Sequence, residues 1–387
     1  MPIRRSSRLD RLPPYLFAEV ERKRRELVAQ GKDVVNLGIG DPDQPAPALL
    51  QEAVKAALAE PLIHQYSPTE GTSEFRAAVA RFHKRRHGVT LDPAKEVLLA
   101  IGSKEIIAHL PLAFTEPGDV VLIPEPGYPP YRSGTLFALA EPHILPLAEE
   151  RGFLPDLGAI PESVAKRAKV LFLNYPNNPT GALAPDAFWK DAIAFCRKHG
   201  ILLVSDNAYA EMYYEKRARS ILEFEGAREV AIEFHSLSKT FNATGWRIAW
   251  GIGNAEALEH LRNLKTNLDS GQFMVLQKAA ARALDEGDAT TDAIRAMYRR
   301  RRDLLCDGLT KAGWKVPRPE ATFYVWFKPP VPVDALTFCT RVLEQAHVVL
   351  TPGVGFGQAG APYVRISLTT SEERLAEAVR RLTQIKF

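Results

Sequence analysis

From about residue 95 to residue 255, short apolar, β-branched runs alternate with longer amphipathic stretches. The runs Val97–Ile101, Val120–Ile123, Val170–Leu173, Ile201–Ser205, Val230–Phe234 and Ile248–Ile252 predict strands, and Ala187–His199 predicts one of the helices between them. Strand and helix in alternation predict an α/β fold with a mainly parallel sheet and helices on both faces. The strand runs are continuously hydrophobic rather than alternating, as strands buried on both sides must be.

The chain outside this block has a different rhythm. A helical pattern from Tyr15 to Gln30 precedes the turn-rich segment Gly38-Ile-Gly-Asp-Pro-Asp43. After about residue 290 come a long basic helix, strand patterns at Ala321–Phe327, His347–Leu350 and Tyr363–Leu368, and a last helix from Ser371. The expected organisation is a large domain over residues 46–289 and a smaller α+β domain formed from both termini. Residues 1–45 supply an arm and part of the small domain, and residues 290–387 supply the rest. Such a split domain can close over a cleft.

Polar clusters sit just after five of the strand runs: Gly102-Ser103-Lys104, Glu125 to Tyr128, Asn174 to Gly181, Asp206 to Tyr209, and Ser236 to Lys239. In open α/β sheets ligands bind outside the carboxyl ends of the strands, so five clusters at five such ends describe one site. Composition narrows the partner. The 387 residues are 46% hydrophobic, and 50 basic against 46 acidic residues leave a formal charge of only +4. The one dense positive run, Arg299 to Arg302, reads as a solvated helix face or a partner contact rather than a nucleic-acid site. Cys196, Cys306 and Cys339 form no CxxC pair and read as buried, reduced thiols. No apolar run approaches the length of a membrane span, and a cytoplasmic protein is expected.

Lys239 is the residue with the most chemistry. An amine that attacks a carbonyl must be partly deprotonated, which burial and nearby positive charge favour. Lys239 follows an apolar strand within Ser236-Leu-Ser238-Lys239, with Arg247 eight residues on. Those features suit pyridoxal 5′-phosphate. A carboxylate, Asp206, would hold the ring nitrogen protonated so that the ring acts as an electron sink. Tyr209 and Asn178 would serve the ring's 3-oxygen, and Tyr128 would stack on the ring. Ser103, Lys104, Ser236, Ser238 and Arg247 would form the phosphate cup at a helix start. Arg365, on a predicted strand, would grip the substrate's α-carboxylate with its planar fork. No GxGxxG or Walker A sequence supports a nucleotide fold, and Gly353 to Gly357 reads as a turn. His235 reads as a hydrogen-bonded core histidine.

Asn178-Pro-Thr-Gly181, Asp206-x-x-Tyr209, Ser236-x-Ser-Lys239 with Arg247, and Arg365-Ile-Ser occur in one order, and together they resemble the class I/II aminotransferases of PLP fold type I nearly end to end. The resemblance implies a PLP-dependent transaminase in which Lys239 holds the cofactor as a Schiff base and shuttles protons. It implies a ping-pong reaction between an L-amino acid and 2-oxoglutarate. It implies a homodimer with shared active sites, Tyr66 crossing to the partner's phosphate. Within the family, Leu37-Gly-Ile-Gly40-Asp-Pro-Asp, Glu233-Phe-His-Ser-Leu-Ser-Lys-Thr and Thr266-Asn-Leu-Asp-Ser-Gly271 resemble most the branch that takes LL-diaminopimelate in lysine biosynthesis. That likeness adds Tyr15, Gly40 and Lys104 as substrate contacts, with Thr69, Asn267 or Asp269 at the distal end of the substrate. The absence of arginine in residues 265–271 argues against aspartate as the preferred donor. Alanine, aspartate, aromatic or N-succinyl-diaminopimelate specificity stays open, as does a β-lyase. Residues 1–30 are too short for the winged helix that a PLP-binding regulator would carry.

Overall fold

A computed structural model describes residues 3–12 and 18–385 of the chain. Among them are twelve strands: β1 (Val35–Asn36), β2 (Val97–Ile101), β3 (Val120–Glu125), β4 (Glu141–Pro146), β5 (Ala168–Leu173), β6 (Leu202–Asp206), β7 (Ala231–Ser236), β8 (Ile248–Gly253), β9 (Tyr324–Phe327), β10 (Val348–Val349), β11 (Thr351–Pro352) and β12 (Val364–Ser367). Seven form one sheet in the order β2-β8-β7-β6-β5-β3-β4. The pairs from β7 through β6, β5 and β3 to β4 are parallel. β8 runs antiparallel to both β7 and β2, so β2 points the same way as the parallel set.

The continuous hydrophobic runs are buried because alternate side chains leave on opposite faces and both faces are covered. Val97 and Leu99 enter one core with Phe75, Phe82, Trp189 and Leu284 from helices. Leu98 and Ala100 enter the other, with Ile107, Leu110, Tyr131 and Leu258. Leu171 and Leu173 divide from Val170 and Phe172 in the same way. Truncating a fully buried aromatic such as Phe172 costs about 3–5 kcal/mol in cores of this kind.

A third core joins the two ends of the chain. Val35 and Leu37 pack with Ile294, Leu305, Phe323, Val364, Ile366 and Leu375, β1 pairs in parallel with β10, and β11-β12-β9 form a small antiparallel sheet. Ala208, Tyr209, Met212 and Tyr214, which follow β6, also enter this core. The long basic helix spans Asp288–Lys311, and Ser371 caps the last helix at Glu372–Leu382 by accepting from Arg374 N.

The structure departs from sequence expectation at four places. β4 was not predicted: it lies at the sheet edge, and its Glu141-Pro-His start is neither apolar nor β-branched. The strand expected from Ala321 starts only at Tyr324, because Thr322 has a left-handed φ of 66° and donates its N–H to Met212 O. His347, expected to open a strand, is instead the left-handed cap of the helix Ala335–Ala346. The basic run is only half solvated. Arg299 and Arg300 pair with Glu215 and Glu372 at the surface, whereas Arg301 and Arg302 are buried. The three cysteines are free and buried. Among the described residues no helix is long and apolar enough to cross a membrane.

Candidate active site

The carboxyl ends of β2, β3, β5, β6 and β7 open on one cavity of about 640 Å³. The antiparallel strand β8 begins at this same edge, which is why Arg247, the residue before it, arrives there too. Ser103, Lys104, Tyr128, Asn178, Asp206, Tyr209, Ser236, Ser238, Lys239, Arg247, Gly40 and Arg365 all line the cavity. Tyr66 does not. It is 90% exposed and faces a separate surface depression of its own chain. Thr69, Asn267 and Asp269 also lie outside the cavity, and Asp269 is engaged by the buried Lys265 at 2.8 Å. Tyr15 lies outside the described residues.

Lys239 sits in a one-turn helix that Ser236 caps by accepting from Ser238 N. Its amine donates to the Gly40 carbonyl at 2.9 Å and stands 5.5 Å from the Phe323 ring. Burial lowers its pKa to about 8. Asp41 opposes that shift, while the positive charges of Arg365 and Arg247 reinforce it. A neutral, nucleophilic amine is therefore accessible near physiological pH.

Asp206 ends β6 and is buried. One oxygen, Oδ2, accepts from Tyr131 Oη at 2.6 Å, and the other has no partner. Burial raises its pKa to about 6 against the lowering effect of the Tyr131 bond. A buried carboxylate with one unmet acceptor calls for a cationic N–H donor from a ligand. Asn174 donates to the Asp206 carbonyl at 2.6 Å and accepts from Asn178 N at 2.8 Å, so β5 and β6 are tied where they reach the site.

The anion cup lies between β2 and β8. Gly102, with φ 70°, leads into the helix Ser103–Phe114, and a Cβ there would overlap the Arg247 guanidinium. Arg247 itself is left-handed (φ 57°), a conformation costing on the order of 1–3 kcal/mol that bulky sites retain when their surroundings fix it. The Gln272 side-chain amide bridges the Ala100 and Arg247 carbonyls. Gln277 then ties Gln272 to Ser67 and Thr72 on either side of the segment after Tyr66.

Arg365 is 7% exposed. It donates to Asn178 Oδ1 at 3.0 Å and to the Gly38 carbonyl at 2.8 Å, between the rings of Tyr324 (4.2 Å) and Phe356 (4.6 Å). Tyr209 and Tyr324 share a hydrogen bond of 3.1 Å between their hydroxyls. The sequence reading missed Tyr131, Tyr324 and Phe356. Tyr131 lies one helical turn beyond Tyr128, a spacing that puts both on one face. Tyr324 comes from the small sheet and Phe356 from the 3-10 turn after β11, and neither carries a signal of that kind. His235 contacts Glu233 Oε1 at 2.7 Å and stacks on Trp250.

The profile of the family described as aminotransferase class I and II matches residues 32–382. The chain belongs to this family. It is 52% identical to the LL-diaminopimelate aminotransferase of Desulforudis audaxviator, over 97% of this chain and 96% of that one. It is 50% identical to LL-diaminopimelate aminotransferase 2 of Trichormus variabilis, over 97% of each. Substrate-bound BacF from Bacillus subtilis has the same fold, with a TM-score of 0.94 and 40% identity over 99% of this chain and 98% of that one. As a member of the class I and II aminotransferases the protein is a transaminase and depends on pyridoxal 5′-phosphate. The residues fit that group: the unmet Asp206 oxygen suits a pyridinium N–H, and the Gly102–Arg247 cup at a helix start suits a phosphate.

Proposed function

We propose that the chain transfers the amino group of LL-diaminopimelate to 2-oxoglutarate in lysine biosynthesis, with Lys239 as the cofactor-bearing amine. The observation that carries the chemistry is the meeting of an amine of lowered pKa, a half-satisfied buried carboxylate and a buried arginine in one cavity. The donor is supported by about 50% identity, over nearly the full length, to proteins of that specificity.

When bound, pyridoxal 5′-phosphate supplies an electron sink for the carbon that loses its proton. Asp206, kept in place by Tyr131, would hold the ring nitrogen's proton. Ser103, Lys104, Ser236, Ser238 and Arg247 would hold the phosphate, and Tyr128 would pack on the ring. Tyr209 and Asn178 would donate to the ring oxygen. Arg365 binds the substrate's α-carboxylate in an orientation fixed by Asn178 and Gly38. Lys239 Nζ takes the proton from the donor's Cα and would pass it to the cofactor's carbonyl carbon, and in the second half-reaction it would deliver a proton to the α-carbon of the acceptor keto acid. Residues 46–289 form the cofactor-binding domain, and residues 1–45 with 290–387 form the domain that closes on substrate.

Two copies share their sites in this reading. Tyr66 is 90% exposed beside exposed Leu62 and Phe273, an apolar face suited to a second copy whose phosphate it would reach. The test is a panel of amino donors with 2-oxoglutarate and purified, cofactor-loaded protein, followed by release of glutamate. LL-Diaminopimelate is expected to give the highest kcat/KM. Turnover of alanine or aspartate alone would reject the donor, and continuous turnover with no keto acid would reject the transaminase.

A further inference from the structure

Four consecutive backbone carbonyls, 37 to 40, accept hydrogen bonds from the site or its support. Leu37 O takes Ser367 N at 2.7 Å, and Gly38 O takes Arg365 Nη2 and Thr351 Oγ1, each at 2.8 Å. Ile39 O takes Thr369 Oγ1 at 2.6 Å, and Gly40 O takes the Lys239 amine at 2.9 Å. One short strip of main chain thus touches both the proposed carboxylate-binding arginine and the reactive lysine. A Cβ at Gly40 would overlap the Tyr324 ring, so the strip lies tight against the site.

The far end of the strip is gripped by a residue of the basic run. Arg301 donates from Nη1 to Asp43 Oδ1 at 2.6 Å and from Nη2 to Asp43 Oδ2 at 2.9 Å. Its Nη1 also donates to Leu368 O at 3.1 Å, just beyond β12, the strand that carries Arg365. The guanidinium is 3% exposed, its Nε has no partner, and it lies 5.4 Å from the Tyr298 ring. A two-pronged contact from the middle of a 24-residue helix fixes both distance and angle. Leaving such a buried cation without its carboxylate is strongly unfavourable, so the loop is held rather than merely touched.

We infer that Arg301 and Asp43 are positioning residues, a clamp that ties the 37–43 strip to the end of the Arg365 strand and so sets the spacing between Arg365 and the Lys239 amine. The inference rests on the transaminase reading for the roles of those two residues. It also gives a purpose to one of the two buried arginines of the basic run. Neither Arg301 nor Asp43 lines the cavity, so the clamp acts through Gly38 and Gly40.

The test uses cofactor-loaded protein and the isosteric Asp43→Asn variant, with Arg301→Lys as a second variant that keeps charge but loses the fork. Three quantities are read: amide hydrogen exchange of residues 37–44, the affinity for pimelate (the dicarboxylate skeleton of the proposed donor without its amines) by calorimetry, and the split between KM and kcat. Both variants are expected to exchange faster in that strip and to bind pimelate about tenfold more weakly. KM for donor and acceptor is expected to rise more than kcat falls, and Asp43→Glu should recover part of the loss. Faster exchange with unchanged pimelate affinity overturns the positioning role, as does parent-like behaviour in all three. If exchange and affinity respond but the parent moves no amino group, the transaminase reading fails and the clamp stands.

Discussion

The two walls of the cavity are made differently. The wall built by the seven-stranded sheet presents side chains at or just after strand ends: Ser103, Asp206, Ser236, Ser238 and Lys239. The opposite wall presents one guanidinium, two aromatic rings and a strip of main-chain carbonyls. The first wall is fixed by the parallel sheet, whose edge cannot shift without breaking the ladder between β5, β6 and β7. The second is fixed by side chains drawn from distant parts of the sequence. In the proposed reaction, cofactor chemistry falls to the rigid wall and substrate reading to the assembled one.

Removing the amine separates the walls most sharply. Lys239→Ala is expected to abolish the visible absorbance of covalently held cofactor and to slow transamination by about four orders of magnitude. Loss of activity with the absorbance retained would reassign the residue. On the other wall, Arg365→Lys keeps the charge and removes the fork, and kcat/KM should fall about a hundredfold with the absorbance intact. Steady-state rates and a spectrum of one sample decide this.

Asp206→Asn probes the rigid wall through pH. The folded-state pKa of about 6 lies above the ordinary aspartate value of 3.8, so folding binds a proton across that interval. Cofactor-free parent therefore loses stability as pH rises from about 4 to about 6, by about 3 kcal/mol in all. The asparagine variant should lose none of it and should melt no lower than the parent at pH 8 without cofactor. It should gain less from added cofactor, as thermal melts with and without the group will reveal. The smallest expected effect is that of Tyr131→Phe. Losing the 2.6 Å bond to Oδ2 removes a hydrogen bond that favours the ionised carboxylate, so the Asp206 pKa rises. The upper end of the pH-dependent stability loss should move above 6, and cofactor affinity should fall about tenfold or less.

Legibility in the sequence follows the same division. The strands of the large sheet were readable because burial on both faces forces unbroken apolar runs, and the residues after them stand out as polar. Val97–Ile101 appears with the predicted ends. β4 was hidden by its edge position and its proline. The substrate wall was harder: Arg365 was found as a lone cation in an apolar strand, but the carbonyls of Leu37 to Gly40 have no letter of their own. Arg301 and Arg302 looked like their neighbours Arg299 and Arg300 because a helix face is set by rotation, and only tertiary packing decides which two of the four arginines turn inward.

One of the two edge strands of the large sheet has a thermodynamic consequence. β2 is bonded on one flank only, to β8, and the anion cup straddles that single seam, with Ser103 beyond the end of one strand and Arg247 before the start of the other. A phosphate held by both would act as a clasp across this edge join of the sheet. Unfolding that begins by peeling β2 away would have to release the vitamin first, so resistance to heat and protease should climb with the logarithm of its free concentration.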